Sequence, residues 1–101
     1  MNRYVYNVTI NADASAARDV RYYIEHKLFP IWGEREGWSC DRLMLISTPE
    51  EDGISLALQF QINSLESLQG FNPDEDPLVH RIRQVYGDKV LFFPTLMEVI
   101  G

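Results

Sequence analysis

A chain of 101 residues with 46% hydrophobic residues fits one folded domain that holds together without disulfides or metal. Its net charge of −6 and pI near 4.7 set it against phosphate backbones and anionic lipid, which argues against nucleic acid or membrane as partners. One cysteine, Cys40, has no partner for an internal disulfide and points to a reducing compartment.

The elements read in chain order as strand, helix, strand, strand, helix, strand. Arg3 to Ile10 is rich in aromatic and β-branched residues, as a strand requires. The stretch Asn11-Ala12-Asp13-Ala14-Ser15 supplies helix caps. A helix follows with Ala17, Val20, Ile24, Leu28 and Ile31 on one face. Pro30 should interrupt it near Leu28, leaving a short extra turn that Gly37 stops. Cys40 to Thr48 reads as the second strand, and Pro49 to Gly53 as a turn.

Ile54 to Ile62 is the clearest strand. Ile54, Leu56, Leu58, Phe60 and Ile62 face one way, and Ser55, Ala57, Gln59 and Gln61 the other. Ser64 opens a short helix with Leu65, Leu68 and Phe71. Asp76-Pro77 then caps a second helix carrying Leu78, Ile82, Val85 and Tyr86 and ending at Gly87. The last strand, Lys89 to Ile100, contains Pro94 and should therefore lie at an edge. This order predicts a ferredoxin-like α+β sandwich: a four-stranded antiparallel sheet, helices on one face, and the other face bare. A second copy of the chain, a ligand, or both would cover that bare face.

The two ends of the chain carry a resemblance. Tyr6-Asn7-Val8-Thr9-Ile10 at the start and Phe93-Pro94-Thr95-Leu96-Met97-Glu98-Val99 at the close resemble a small bacterial family known as a domain of unknown function. Members open on Tyr-Asn-Val-Thr and close on Phe-Arg-Thr-Leu-Leu-Glu-Val, and Gln59-Phe60-Gln61 fits their third strand. The resemblance implies a dimeric ferredoxin-like fold, of the dimeric α+β-barrel type, and no established activity. Pro94 stands where that family has arginine, and Leu28-Phe29-Pro30 where it has His-Ile-Pro. No role of that arginine or that histidine carries over.

The candidate ligand-binding residues are Asn7, Gln59 and Gln61, uncharged amides expected together on the bare faces of the central strands. Val5, Leu43 and Leu45 are the expected dimer contacts on the same face, with Met44 and Ile46 replacing the leucines if the second strand has the opposite parity. His26 and His80 sit beside charged neighbours and read as solvated helix positions, and no spacing suits a metal, so neither a metal nor a cofactor is expected. Cys40 has no evident base, and the runs Glu50-Glu51-Asp52 and Asp74-Glu75-Asp76 read as solvated turns.

With no nucleophile–base–orienter set, the expected function is a non-enzymatic dimeric binding or regulatory module. The alternative is a cofactor-poor oxygenase or isomerase resembling the dimeric α+β-barrel enzymes, with Asn7, His80 and a tryptophan as distant counterparts of the haem-degrading members' residues. The N-terminus has no basic stretch followed by an apolar one, and no run reaches the ~18 residues of a membrane span, so the expected location is the cytoplasm.

Overall fold

In the computed structural model, which describes residues 3–46 and 52–101, β1 (Arg3–Ala12) sits inside the sheet and buries every second side chain. Tyr6, Val8, Ile10 and Ala12 point to the helices. β3 (Ile54–Ile62) pairs with one side of β1, and β4 (Val90–Val99) pairs with the other. β2 (Trp38–Ile46) pairs with β3, giving the order β2-β3-β1-β4, all antiparallel. This is the ferredoxin-like arrangement, with Pro94 on an edge strand opposite Val8. Ser47 and Thr48 of the expected second strand, and Pro49 to Glu51 of the expected turn, lie outside the described residues.

The first helix corrects the sequence reading. Ala14–Tyr23 forms α1, Ile24–Leu28 continues as a π-helical turn, and Phe29–Trp32 forms α2 with Pro30 inside it. Pro30 does not break the run. The Phe29 N–H bonds to Ile24 O, a wide turn just ahead of the residue that has no N–H to give. The wide turn also keeps residues four apart in line, so the buried stripe runs Val20, Ile24, Leu28, Trp32, and Ile31 falls outside it. Gly37, at φ +81°, turns the chain into β2; a Cβ there would meet Asn63 Oδ1 at 2.7 Å.

Between β3 and α3 (Pro77–Tyr86) the chain makes two short 3₁₀ turns, Leu65–Leu68 and Pro73–Glu75. Ser64 does not cap the first turn through its side chain; its carbonyl takes the Ser67 hydroxyl instead. α3 buries Val79 and Ile82, while Val85 turns out to solvent, against expectation. About the helix axis Val79 lies roughly 60° to one side of Ile82 and Val85 roughly 60° to the other, so a face centred between Val79 and Ile82 leaves Val85 at its margin, open to solvent.

The space between helices and sheet is filled by rings at one end. Phe60 lies 5.0 Å from Phe29, 5.4 Å from Trp38 and 6.0 Å from Trp32 between ring centroids. Phe71 stands edge-on to Trp32 at 5.1 Å and closes against Trp38 at 4.9 Å. Arg35 lays its guanidinium over Phe71 and Trp38, at 4.4 and 5.1 Å. Burial first, and then the charge of Asp74, push the Tyr6 phenol up to about 12, so it stays neutral through the physiological range.

Both indole N–H groups are partnered: Trp38 donates to Ser67 O at 2.9 Å, and Trp32 to Asp76 Oδ2 at 3.1 Å. Asp76 also receives the Leu78 N–H on Oδ1 at 2.9 Å, the expected N-cap of α3. One carboxylate thus joins the end of the first helical run to the start of α3. Asp76→Ala, measured by urea unfolding, is expected to cost about 2–3 kcal/mol, the loss of a cap plus a poorly solvated indole donor left alone. Asp76→Asn, which keeps an acceptor for Leu78, should cost less. No helix among the described residues is long and apolar enough to cross a membrane.

Candidate functional site

The helices lie over one face of the sheet, and the strand registers fix what stands on the other. Four cross-strand rows are read from β2 to β4: Ile46, Ser55, Asn11, Leu91; then Met44, Ala57, Thr9, Phe93; then Arg42, Gln59, Asn7, Thr95; then Ser39, Gln61, Val5, Met97. The central strands supply mostly small and amide side chains; the edge strands supply Met44, Ile46, Leu91, Phe93 and Met97, with Arg42 and Thr95 beside the amide pair and Ser39 in the last row. Ser55 and Ala57 are only 6% and 7% exposed with no helix above them, because their taller neighbours wall them in. At the edges Met44, Ile46, Leu91, Phe93 and Met97 stand open to solvent.

The polar strip is hydrogen-bonded to itself. Gln59 Nε2 donates to Asn7 Oδ1 at 3.4 Å, Asn7 Nδ2 donates to Thr9 Oγ1 at 3.1 Å, and Ser55 Oγ donates to Asn11 Oδ1 at 2.7 Å. Asn7 thereby uses both ends of its amide. These are neutral groups throughout, able to give and accept hydrogen bonds but not to shuttle a proton near pH 7.

Of the expected ligand residues, Asn7 and Gln59 come together. Gln61 does not join them: it lies in the next row, exposed, beside a separate crevice that Trp38 and Asn63 also line. Val5 is on the bare face, half-buried. Leu43 and Leu45 are not. They pair with Leu58 and Leu56 on the helix side, and Leu43 packs against the core. The cause is a β-bulge between Cys40 and Arg42, which adds one residue to β2 and exchanges its two faces. Met44 and Ile46 take the bare-face positions.

Asn11 and Ser55 were missed as a pair; extending the alternation of β1 to Ala12 would have found them. The enzyme-like grouping of Asn7 with His80 is not formed. His80 is exposed on α3, with Nε2 2.6 Å from Asp74 O, so the sheet separates the two. His26 is exposed and stacked on Tyr22 at 4.3 Å. Cys40 rests its thiol against Phe29 O at 3.5 Å, and burial together with Glu34 pushes its pKa up, away from a reactive thiolate. Among the described residues no three His, Cys, Asp or Glu side chains are grouped to hold a metal ion.

The family described as a domain of unknown function, DUF4286, matches residues 3–100. The chain belongs to that family. Comparison with curated proteins gives no match. Among solved structures, the chain is similar to a proposed antibiotic biosynthesis monooxygenase from Deinococcus radiodurans, with TM-score 0.59 and 13% identity over 97% of this chain and 91% of that one. A second protein of that description, from Caulobacter crescentus CB15, gives 0.57 and 12%, covering 99% and 90%. Rv0793 from Mycobacterium tuberculosis gives 0.53 and 17%, covering 98% and 94%. At these identities the likeness is one of fold, and the ferredoxin-like sandwich is what this DUF4286 domain shares with them.

Proposed function

We propose that this DUF4286 domain is a non-enzymatic module that pairs with a second copy of itself through the bare sheet face. The observation that carries this reading is the composition of that face: a partly self-bonded polar strip with exposed apolar side chains on both edges, Met44 and Ile46 on β2 and Leu91, Phe93 and Met97 on β4, interrupted by Arg42 and Thr95 beside the amide pair. Asn7 and Gln59 already meet part of their hydrogen-bonding capacity between themselves and Thr9, which lowers the cost of covering them, and the apolar edge side chains gain by leaving water. The filled interior supports the same reading, since Trp32 and Phe60 occupy the space between helices and sheet where a buried substrate would need room. The acidic composition and lone Cys40 fit the cytoplasm.

A second reading, a cofactor-poor monooxygenase, draws on the two fold neighbours described as proposed antibiotic biosynthesis monooxygenases. Native mass spectrometry of the protein from its expression host separates the two. The module reading predicts a species of twice 11.7 kDa with no bound organic molecule. A stoichiometric small molecule retained through purification would favour the enzyme.

A further inference from the structure

On the opposite side of the molecule, α1 and α3 lie side by side and leave a crevice of about 610 Å³ between their outer surfaces, a volume in the range of small-ligand sites. Its floor is Val20 and Ile82, both buried. Tyr22 and Val85 stand on its lips at 65% and 67% exposure, two large apolar groups facing solvent across one opening. Two phenol bonds tie the helices together there: Tyr23 donates to Leu78 O at 3.3 Å and Tyr86 to Asp19 Oδ2 at 3.2 Å. These bonds hold both rings as fixed walls.

The charge at this crevice runs against that of the chain. Three of its nine lysines and arginines, Arg18, Arg21 and Arg81, line it, with two acids, Asp19 and Glu25. The acids are engaged, Asp19 with Tyr86 and Glu25 with Arg21 at 2.7 Å. Arg18 and Arg81 form no ion pair among the described residues. On a chain of net charge −6, two unpaired guanidinium groups therefore flank an aromatic-walled slot.

We propose that the α1–α3 crevice binds an aromatic organic acid, its ring body against Tyr22, Val85 and Tyr86 and its anionic group on Arg18 and Arg81. The rings offer flat apolar contact, and guanidinium is the side chain best matched to a planar carboxylate. The site goes beyond the pairing reading and is independent of it, because the crevice is on the helix layer and the pairing surface on the bare sheet face.

The test uses two fluorescent probes of one shape: 8-anilinonaphthalene-1-sulfonate, which is anionic, and N-phenyl-1-naphthylamine, which is neutral. Arg18→Gln with Arg81→Gln should weaken binding of the sulfonate by about 10- to 100-fold, the loss of charge-assisted hydrogen bonds, and change the neutral dye by less than about threefold. Arg18→Lys with Arg81→Lys should restore part of the sulfonate affinity, and Val85→Glu should weaken both dyes. These positions are on the surface, so unchanged circular dichroism is expected for every variant. Sulfonate binding that ignores the arginine pair would overturn the proposal, as would loss of both dyes in equal measure in the Gln variant.

Discussion

Phe60→Ala is expected to lower the free energy of unfolding by about 3–5 kcal/mol, a large part of the ~5–15 kcal/mol that a domain of this size commands. Phe60 is fully buried, and three rings from two separate stretches of chain close on it: Phe29, Trp32 and Trp38. Small neighbours could relax into the vacated volume, but indoles cannot. Trp32 is bonded to Asp76 and Trp38 to Ser67, so moving either ring breaks a hydrogen bond. The cavity therefore stays open and the cost falls at the high end of its class. Urea unfolding should show a lower midpoint at an unchanged slope. A midpoint like that of the parent protein would mean that the helix layer does not rest on this ring.

Phe93→Glu with Met97→Glu is expected to abolish self-association while leaving the single chain folded. In the isolated chain these side chains are 48% and 37% exposed, so a carboxylate at either position remains solvated. In a pair formed through the bare face, each would be driven into an apolar contact. Two-fold symmetry makes every substitution count twice, and each large side chain lost forfeits about 1.5–3 kcal/mol of burial before any charge is desolvated. A dissociation constant weaker by a thousandfold or more follows, on the order of 4 kcal/mol. Leu45→Glu is the control: Leu45 is as exposed as Phe93, but the bulge puts it on the helix side. It should leave association unchanged. Equal effects from Leu45 and Phe93 would show that the pairing surface is not the bare face.

What could be read from the sequence was what local rules decide. The alternation from Ile54 to Ile62 set the faces of β3, Pro94 marked an edge, and Asp76-Pro77 marked a helix start, each by a preference acting within a few residues. The faces of β2 were not legible, because one inserted residue before Arg42 reverses them and nothing in Ser39-Cys40-Asp41-Arg42 announces a bulge. Pro30 misled for a related reason: a π turn closes just ahead of it with the Phe29 N–H on Ile24 O, and Pro30 falls in the first turn of the α-helix that follows, where a missing N–H is tolerated. Asn7 and Gln59 were found because they sit at matching positions on strands whose adjacency follows from the topology. Tyr22, Tyr86 and the two arginines were not, since their meeting depends on how α1 rolls against α3, and Val85 by its spacing looked like a core residue.

The most direct test of the pairing account is sedimentation equilibrium of the unmodified chain over a micromolar range. The account predicts a mass of twice 11.7 kDa, falling to one chain in the Phe93→Glu, Met97→Glu variant. A single 11.7 kDa species at every concentration would contradict it.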